Sequence, residues 1–216
     1  MDDTRQRILE AAGQTFAEKG FEDATVREIC QRADANLAAI NYHFGDKARL
    51  YVEVVKQAHC HQGEIPEFPW TVETSSEQKL TDFIFHMMSM MLATDRPSWH
   101  LELMMREMAR PTDACSELVQ SFIGPMFDTL LSIIREILPP RTSLETLRLH
   151  GFSIVGQCLL YRHHRPIGRL LIGEEDFQKL FVVEHTASHI AAFSLGALRA
   201  YREGHPAAGA GRGDRS

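Results

Sequence analysis

The sequence predicts an all-α protein of about nine helices, with a compact N-terminal helix-turn-helix unit followed by a larger helical domain. Apolar residues return every three or four positions through most of the 216 residues, the spacing of helices that each bury a face. Ser, Thr, Asp and Asn stand ahead of these runs and Gly or Pro behind them, where helix starts and stops place them. Near the N-terminus two such runs are only about two turns long, and a longer one precedes them.

Residues 3–19 read as the first helix. Asp3 serves as N-cap with Gln6 three positions on, and Ile8, Leu9, Ala12, Phe16 and Ala17 recur at helical spacing before Gly20 stops the run. The second helix starts at Thr25, whose capping box with Glu28 leads into an apolar face of Val26, Ile29, Cys30 and Ala33. After a tight break at Asp34 and Ala35, Asn36 is suited to N-cap a short third helix with Ile40 and Phe44 inward. Gly45 ends it, and Asp46 caps a fourth helix through Leu50, Val54 and Val55 that reaches residue 62 and links the two halves.

Two short helices joined by a few residues and braced by a longer one form the helix-turn-helix arrangement, whose second helix enters the DNA major groove. The third helix suits that position. Leu37, Ala38 and Ala39 are slim enough for close approach, and their methyl groups suit thymine methyls. Asn36, Asn41, Tyr42 and His43 present polar groups there, with Thr25 and Lys47 at neighbouring helix starts adding phosphate contacts. Tyr42 packing on the first helix, and His43 bracing the fourth, are the structural alternatives.

Charge argues against a strongly cationic DNA surface. The chain carries a formal net charge of -6, and residues 1–50 hold seven Lys and Arg against nine Asp and Glu. Phosphate contacts depend on the few cations at the interface, so each module is expected to bind modestly and to need a second copy. No signal-peptide stretch opens the chain and no run of about eighteen apolar residues interrupts it, so a soluble cytoplasmic protein with no membrane partner is expected. The four cysteines are widely spread with no CxxC pair, which excludes a zinc-finger spacing and a disulfide framework and points to free buried thiols.

Residues 63–76 break the pattern with Pro66, Pro69 and a Ser/Thr cluster, which places the larger domain at 63–203. Its first helix, the fifth of the chain, carries Leu80, Phe83, Ile84, Met87, Met88, Met91 and Leu92 as one stripe. The sixth, opened by Pro97 and Ser98, adds Trp99, Leu101, Met104, Met105 and Met108. Seven methionines fall between 87 and 108. Methionine is unbranched and polarisable and adapts to varied shapes, so Phe83, Met87, Met91, Trp99, Met104, Met108 and Phe127 are the candidate wall of a small-molecule site, although plain core packing explains any single Met as well. His86, His100, Glu102, Arg106 and Glu107 are candidates to orient a ligand.

A seventh helix at 113–137 should kink at Gly124 and Pro125. Pro139 and Pro140 end it, and Thr142 with Glu145 supplies a capping box for the eighth. That helix, and the ninth over 174–202, are apolar on two sides, the ninth with Phe177, Leu180 and Phe181 on one and Val183, Thr186, Ile190, Phe193 and Ala197 on the other. Two apolar faces imply two partners, the domain core and the same helices of a second subunit. Ser188, Ala191, Ala192, Ser194 and Gly196 are small enough for close helix approach, and residues 204–216 are expected to be disordered. His59 and His61 lie two apart and cannot converge on a metal from a helix; His185 and His189 share a face but offer only two ligands. His163 and His164 suit the dipole of a helix C-terminus. No metal or cofactor is predicted.

Residues 5–54, from RILEAAGQTFAEKGF through ATVREICQRADANLAAINYHFGDKARLY, resemble the DNA-binding domain of TetR-family transcriptional regulators. The Gly20-Phe21 turn, Thr25, Ile29, the Asn-Tyr-His-Phe segment at 41–44, Lys47 and Leu50 carry the likeness. Asp34 stands where the family usually has a turn glycine; Asp is among the few residue types that tolerate positive φ. GQCLLYRHHRPIGRLL at 156–171, REMARPT at 106–112 and HIAAFSLGALRAY at 189–201 resemble the CecR-type C-terminal domain of that family. The resemblance implies a homodimer through helices eight and nine, a palindromic double-stranded operator, and a small-molecule effector that releases a repressor. An activator of the same fold is the alternative, and a metal-dependent enzyme using the His- and Met-rich C-terminal half is the least supported one, because no paired nucleophile and base, phosphate loop or multi-ligand spacing is present.

Overall fold

A computed structural model describes residues 3–59, 67–92 and 97–204. Among them the chain is helical throughout: α1 (Asp3–Asp23), α2 (Val26–Ala33), α3 (Leu37–Phe44), α4 (Lys47–His59), α5 (Ser76–Leu92), α6 (Ser98–Ala109), α7 (Asp113–Leu118), a π-helical turn (Val119–Ile123), α8 (Gly124–Ile137), α9 (Leu144–His163), α10 (Arg165–Ile172), α11 (Glu174–Leu180) and α12 (Val183–Gly204). The all-α expectation holds. The helices outnumber the expected nine because the seventh and ninth predicted helices are each divided in two, and α10 follows the eighth as a further short helix.

The causes of division are local. Pro125 has no N–H and its ring excludes the carbonyl four residues back. The chain absorbs this with one π-helical turn, in which the Gly124 N–H reaches the Val119 carbonyl. A Cβ at Gly124 would stand 2.8 Å from that carbonyl oxygen, so the turn requires glycine. The eighth predicted helix ends at His163, where its paired histidines place a C-terminus, and Pro166 then opens α10, a short helix beyond the expected nine. The ninth breaks at Phe181, which packs on Phe177 at 4.3 Å between centroids and on Tyr161 at 5.2 Å. The α9 cap also differs from expectation. Thr142 donates its hydroxyl to Pro139 O at 2.7 Å to close a turn, leaving Ser143 to cap α9 through Thr146 N.

The chain forms two compact units, Met1–Pro66 with Thr94–Pro125, and Glu67–Ala93 with Met126–Ser216. In the first unit α1 is the spine, packed by α2, α3, α4 and α6. The five apolar residues assigned to its inner face, Ile8, Leu9, Ala12, Phe16 and Ala17, are all buried, as are Ile40 and Phe44 of α3 and Leu50, Val54 and Val55 of α4. In the second unit α5, α9 and α12 pack together. Every member of the predicted α5 stripe is buried except Met91, which is half-buried. Ion pairs tie the surface of this unit: Lys79 to Glu136 at 2.8 Å, and Arg199 to Glu77 at 2.5 Å.

By length and composition Asp113–Ile137 is apolar enough to cross a membrane, yet 39% of its apolar window is buried inside the fold. Cys158 is buried and its thiol is pushed up to about 12 by desolvation; Cys30 and Cys115 are half-buried and raised by the same cause. All three are poor thiolates that pack as small apolar residues. Cys60 and His61 lie outside the described residues, as do residues 205–216 of the tail; Gly204, its first residue, ends α12.

Candidate nucleic-acid interface

The helix-turn-helix is α2 and α3, and its local geometry follows from four capping residues. Thr25 is extended and caps α2: its hydroxyl accepts from Glu28 N at 3.2 Å, and Glu28 returns a carboxylate to Thr25 N at 3.1 Å. Lys19 adds an ion pair to Glu28 at 2.5 Å. The Lys19 hydrogen bond first, and the two Thr25 bonds after it, hold the Glu28 carboxyl down at about 2. The cap therefore keeps its charge above that pH and loses it only below.

Asp34 ends α2 in the left-handed region, φ 48° and ψ 52°, with its N–H on Cys30 O. It is the sole non-glycine residue with positive φ among the described residues. The conformation is the one expected of a residue standing where the turn glycine belongs. Asn36 then caps α3, its side-chain oxygen accepting from Ala39 N at 2.9 Å. Gly45 leaves α3 at φ 83°, and Asp46 caps α4 by accepting from Arg49 N at 2.8 Å.

These caps orient α3 so that Ile40 and Phe44 face the core while Leu37, Ala38, Asn41 and Tyr42 face outward. Tyr42 is 85% exposed and touches only the His43 ring among described aromatic contacts, at 4.9 Å, so it does not pack on α1. Ala39 and His43 lie half-buried on the flank of the helix. His43 lines a groove of about 350 Å³ with Arg5, Phe44, Arg49, Val52, Glu53 and Glu117. Its place is thus closer to the bracing alternative than to the outward face.

Lys47 begins α4 and is half-buried. Its ammonium donates to Glu22 O at 3.2 Å and lies 4.6 Å from the centre of the Phe21 ring. A lysine held at two points in the free protein keeps its charge in one place, which reduces the ordering cost of meeting a phosphate. Sequence reasoning missed Phe21 in this role, because nothing in its spacing shows that it underlies Lys47. Thr25 is exposed, but its hydroxyl donates to Glu28 at 3.0 Å and is already part of the cap.

The candidate effector residues divide between the units. Phe83 and Met87 are buried in the second unit, with Met91 and Phe127 half-buried there. Trp99 and Met104 are buried in the first unit, and Met108 is exposed there. Of the groups considered as ligand-orienting, Arg106 donates to Ala17 O at 2.8 Å and Glu18 O at 2.7 Å, while Glu107 is buried and bonded to Tyr51 and Thr112. Both are taken up by the protein's own backbone and side chains. His163 is also a correction: burial, then Arg162 and His164, lower its pKa, so it favours the neutral form rather than serving as a cationic helix terminus.

Comparison with known proteins agrees with this geometry. Residues 8–54 match the family described as bacterial regulatory proteins, tetR family, and residues 76–198 match the C-terminal domain of the HTH-type transcriptional dual regulator CecR. The HTH-type transcriptional repressor AcnR of Corynebacterium glutamicum is 39% identical over 62 residues, 29% of this chain and 33% of that protein. The chain thus spans about a third of the length of the curated repressors it matches in this way. CecR of Shigella flexneri is 24% identical over 171 residues, covering 74% of this chain and 76% of that one. In fold, the chain is similar to the crystal structure of HlyIIR, a hemolysin II transcriptional regulator, with a TM-score of 0.57, 22% identity and coverage of 88% and 96%. With a helix-turn-helix whose caps and outward face are those described above, and with both of its segments matched, the chain belongs to the TetR family of bacterial regulatory proteins and carries a CecR-type C-terminal domain.

Proposed function

We propose that the protein is a ligand-responsive transcriptional repressor that binds a palindromic operator as a homodimer and is released by a small-molecule effector. The observation that carries this reading is the outward face of α3, where Leu37, Ala38, Asn41 and Tyr42 are exposed between the capped starts of α2 and α4. Residues 1–50 form the DNA-binding module, α4 links it onward, and residues 63–203 receive the effector and form the dimer. The location is the cytoplasm, where the operator is. Two modules would occupy half-sites about one helical turn apart. An effector lowers operator affinity by binding better to a state in which that spacing is wrong.

The direct test is binding of the effector-free protein, at low salt, to a duplex from its own upstream region. Absence of any preference over a scrambled duplex overturns the reading. CecR is named a dual regulator, which favours activation as the second reading; a reporter in a deletion strain separates the signs. For the effector, Phe83, Met87, Met91 and Phe127 point to an apolar molecule, and a thermal-shift screen across compound classes should find its hits among lipophilic ones.

Substitutions on α3 and α4 divide by role. Tyr42→Ala and Lys47→Ala should weaken binding to all sequences by about tenfold each, since phosphate contacts carry no sequence information. Ala39→Gln should instead change which operator is preferred, by roughly 1–3 kcal/mol at one base pair. Identical site selection by Ala39→Gln and parent would show that Ala39, on the flank, does not face the bases. Asp34→Gly should both stabilise the fold, by about 0.5 kcal/mol, and tighten DNA binding, because it relieves a left-handed side chain and removes an acid near the phosphates. Chemical denaturation and operator titration measure the two effects separately.

A further inference from the structure

The first unit contains a continuous series of contacts from a buried carboxylate to the half-buried Lys47. Glu107 on α6 is only 1% exposed. Its Oε1 accepts from the Tyr51 hydroxyl of α4, and its carboxylate accepts from Thr112 N at 3.2 Å and the Thr112 hydroxyl at 3.0 Å. The Tyr51 ring then meets Phe16 edge-on at 4.8 Å and Phe21 at 5.0 Å. Phe21 in turn carries the Lys47 ammonium at 4.6 Å. Next to Glu107, Arg106 binds the Ala17 and Glu18 carbonyls just ahead of the Gly20 kink that delivers Phe21. Adjacent residues of α6 thus bind the backbone that leads into Phe21 and the tyrosine whose ring packs on it.

A carboxylate buried at this depth is costly to desolvate, and an apolar residue would fill the space without that cost. What Glu107 adds is direction: it accepts at once from α4 and from the cap of α7, so the Tyr51 ring has one position rather than several. We infer that Glu107 is a positioning residue for DNA binding, acting through Tyr51 and Phe21 to hold Lys47 where it meets a phosphate. This rests on the repressor reading for its biological use, but the contact itself is with the sequence-independent backbone of any duplex. A shift of α6 that loosens the Tyr51–Glu107 bond therefore lowers DNA affinity without altering the outward face of α3.

The test is a set of four proteins, parent, Tyr51→Phe, Lys47→Met and the double variant, titrated over a range of salt against the upstream duplex and a scrambled one. Lys47→Met should lower the slope of log affinity against log salt by about 0.9 for each module bound. Tyr51→Phe keeps the ring but not the hydroxyl; it should weaken binding about fivefold and lower the slope in the same direction, with little further effect once Lys47 is gone. Glu107→Gln, which keeps the shape and one acceptor, should give a smaller loss of the same kind. If Tyr51→Phe does not fold, Glu107→Gln takes its place in the cycle.

A loss that is equal in both Lys47 backgrounds, or that leaves the salt slope unchanged, overturns the inference and marks Tyr51 as a packing residue. Without DNA, the Lys47 ε-methylene protons should be shifted upfield by the Phe21 ring in the parent and should move in Tyr51→Phe; identical shifts in the two proteins also overturn it. A parent that binds both duplexes equally overturns the repressor reading alone, since the slopes remain readable on either duplex.

Discussion

Introducing Phe152→Glu and Phe193→Glu together is expected to convert the protein from dimer to monomer and to reduce operator affinity by about a thousandfold, the range lost when two linked modules bind singly. The reasoning starts from what α9 and α12 leave uncovered. On α9, Leu147, Gly151, Ile154 and Cys158 turn inward, while Leu149, Phe152, Gly156 and Leu160 make an outward stripe at helical spacing. On α12, Thr186, Ala187, Ile190, Ala191, Ser194 and Leu198 are buried, and Ser188, Ala192, Phe193 and Gly196 face out. Phe152 is 63% exposed and Phe193 62%. In an isologous interface each residue is buried twice, and each phenylalanine ring removed from water contributes about 2–3 kcal/mol. Four rings replaced by four carboxylates is more than an interface of ordinary size can absorb. Light scattering reads the mass and a salt-matched operator titration reads the affinity. Val72→Glu, at a fully exposed site in the same unit, is the control for added charge. A double variant that keeps the parent's mass would move the interface elsewhere.

That stripe shows where sequence reading succeeded and where it did not. Two apolar sides are visible on both helices, but the spacing of Val183, Thr186, Ile190 and Phe193 places Phe193 on the side that proves to be buried at Thr186 and Ile190. Over a helix of 22 residues a small error in assumed phase moves a residue across the boundary between faces, and Ala, Ser and Gly at neighbouring positions do not fix the phase. The N-terminal caps were legible for the opposite reason. Thr25, Asn36 and Asp46 each bind a backbone N–H within three residues, so the whole interaction lies inside a short window of sequence. The left-handed Asp34 was legible on the same basis, since a single residue decides whether that backbone region is tolerated.

The contacts that organise the first unit were not legible. Tyr51 meets Glu107 at a separation of 56 residues, and Arg106 meets Ala17 at 89. Arg106 and Glu107 read as polar residues on a methionine-rich helix, and without the fold they resemble ligand-facing groups as much as internal anchors. The Asn-Tyr-His-Phe segment groups His43 with outward-facing neighbours, although one residue further round α3 the flank is already half-buried. Local chemistry identified the recognition helix; only packing decides how the helix is rotated.

The second large effect is expected from one methyl group. Gly13→Ala should destabilise the protein by about 3 kcal/mol, through overpacking that small shifts cannot relieve. Ordinarily this change in a helix interior is favourable by roughly 0.5–1 kcal/mol, because glycine loses more backbone entropy on folding. At Gly13 the sign reverses. A Cβ there would lie 2.5 Å from Cη2 of Trp99 and 2.6 Å from Cε2 and Cε3, against the face of the indole. The ring has little freedom to retreat: Trp99 is buried, its Nε1 donates to Glu10 Oε1 at 2.8 Å, and its other neighbours include the His100 ring at 4.0 Å. Relief therefore requires α6 to move off α1. At roughly 2–4 °C per kcal/mol for a chain of this size, the midpoint of thermal unfolding should fall by about 6–12 °C. Trp99→Leu removes the obstructing ring, so the double variant should lose clearly less than the sum of the two singles, the mark of a direct contact. Because the same displacement withdraws Arg106 and Glu107 from Ala17 and Tyr51, Gly13→Ala should also weaken DNA binding at temperatures where the protein is still folded. A Gly13→Ala protein as stable as the parent would mean that α6 does not sit against α1 at this distance, and the Arg106 and Glu107 contacts would fall with it.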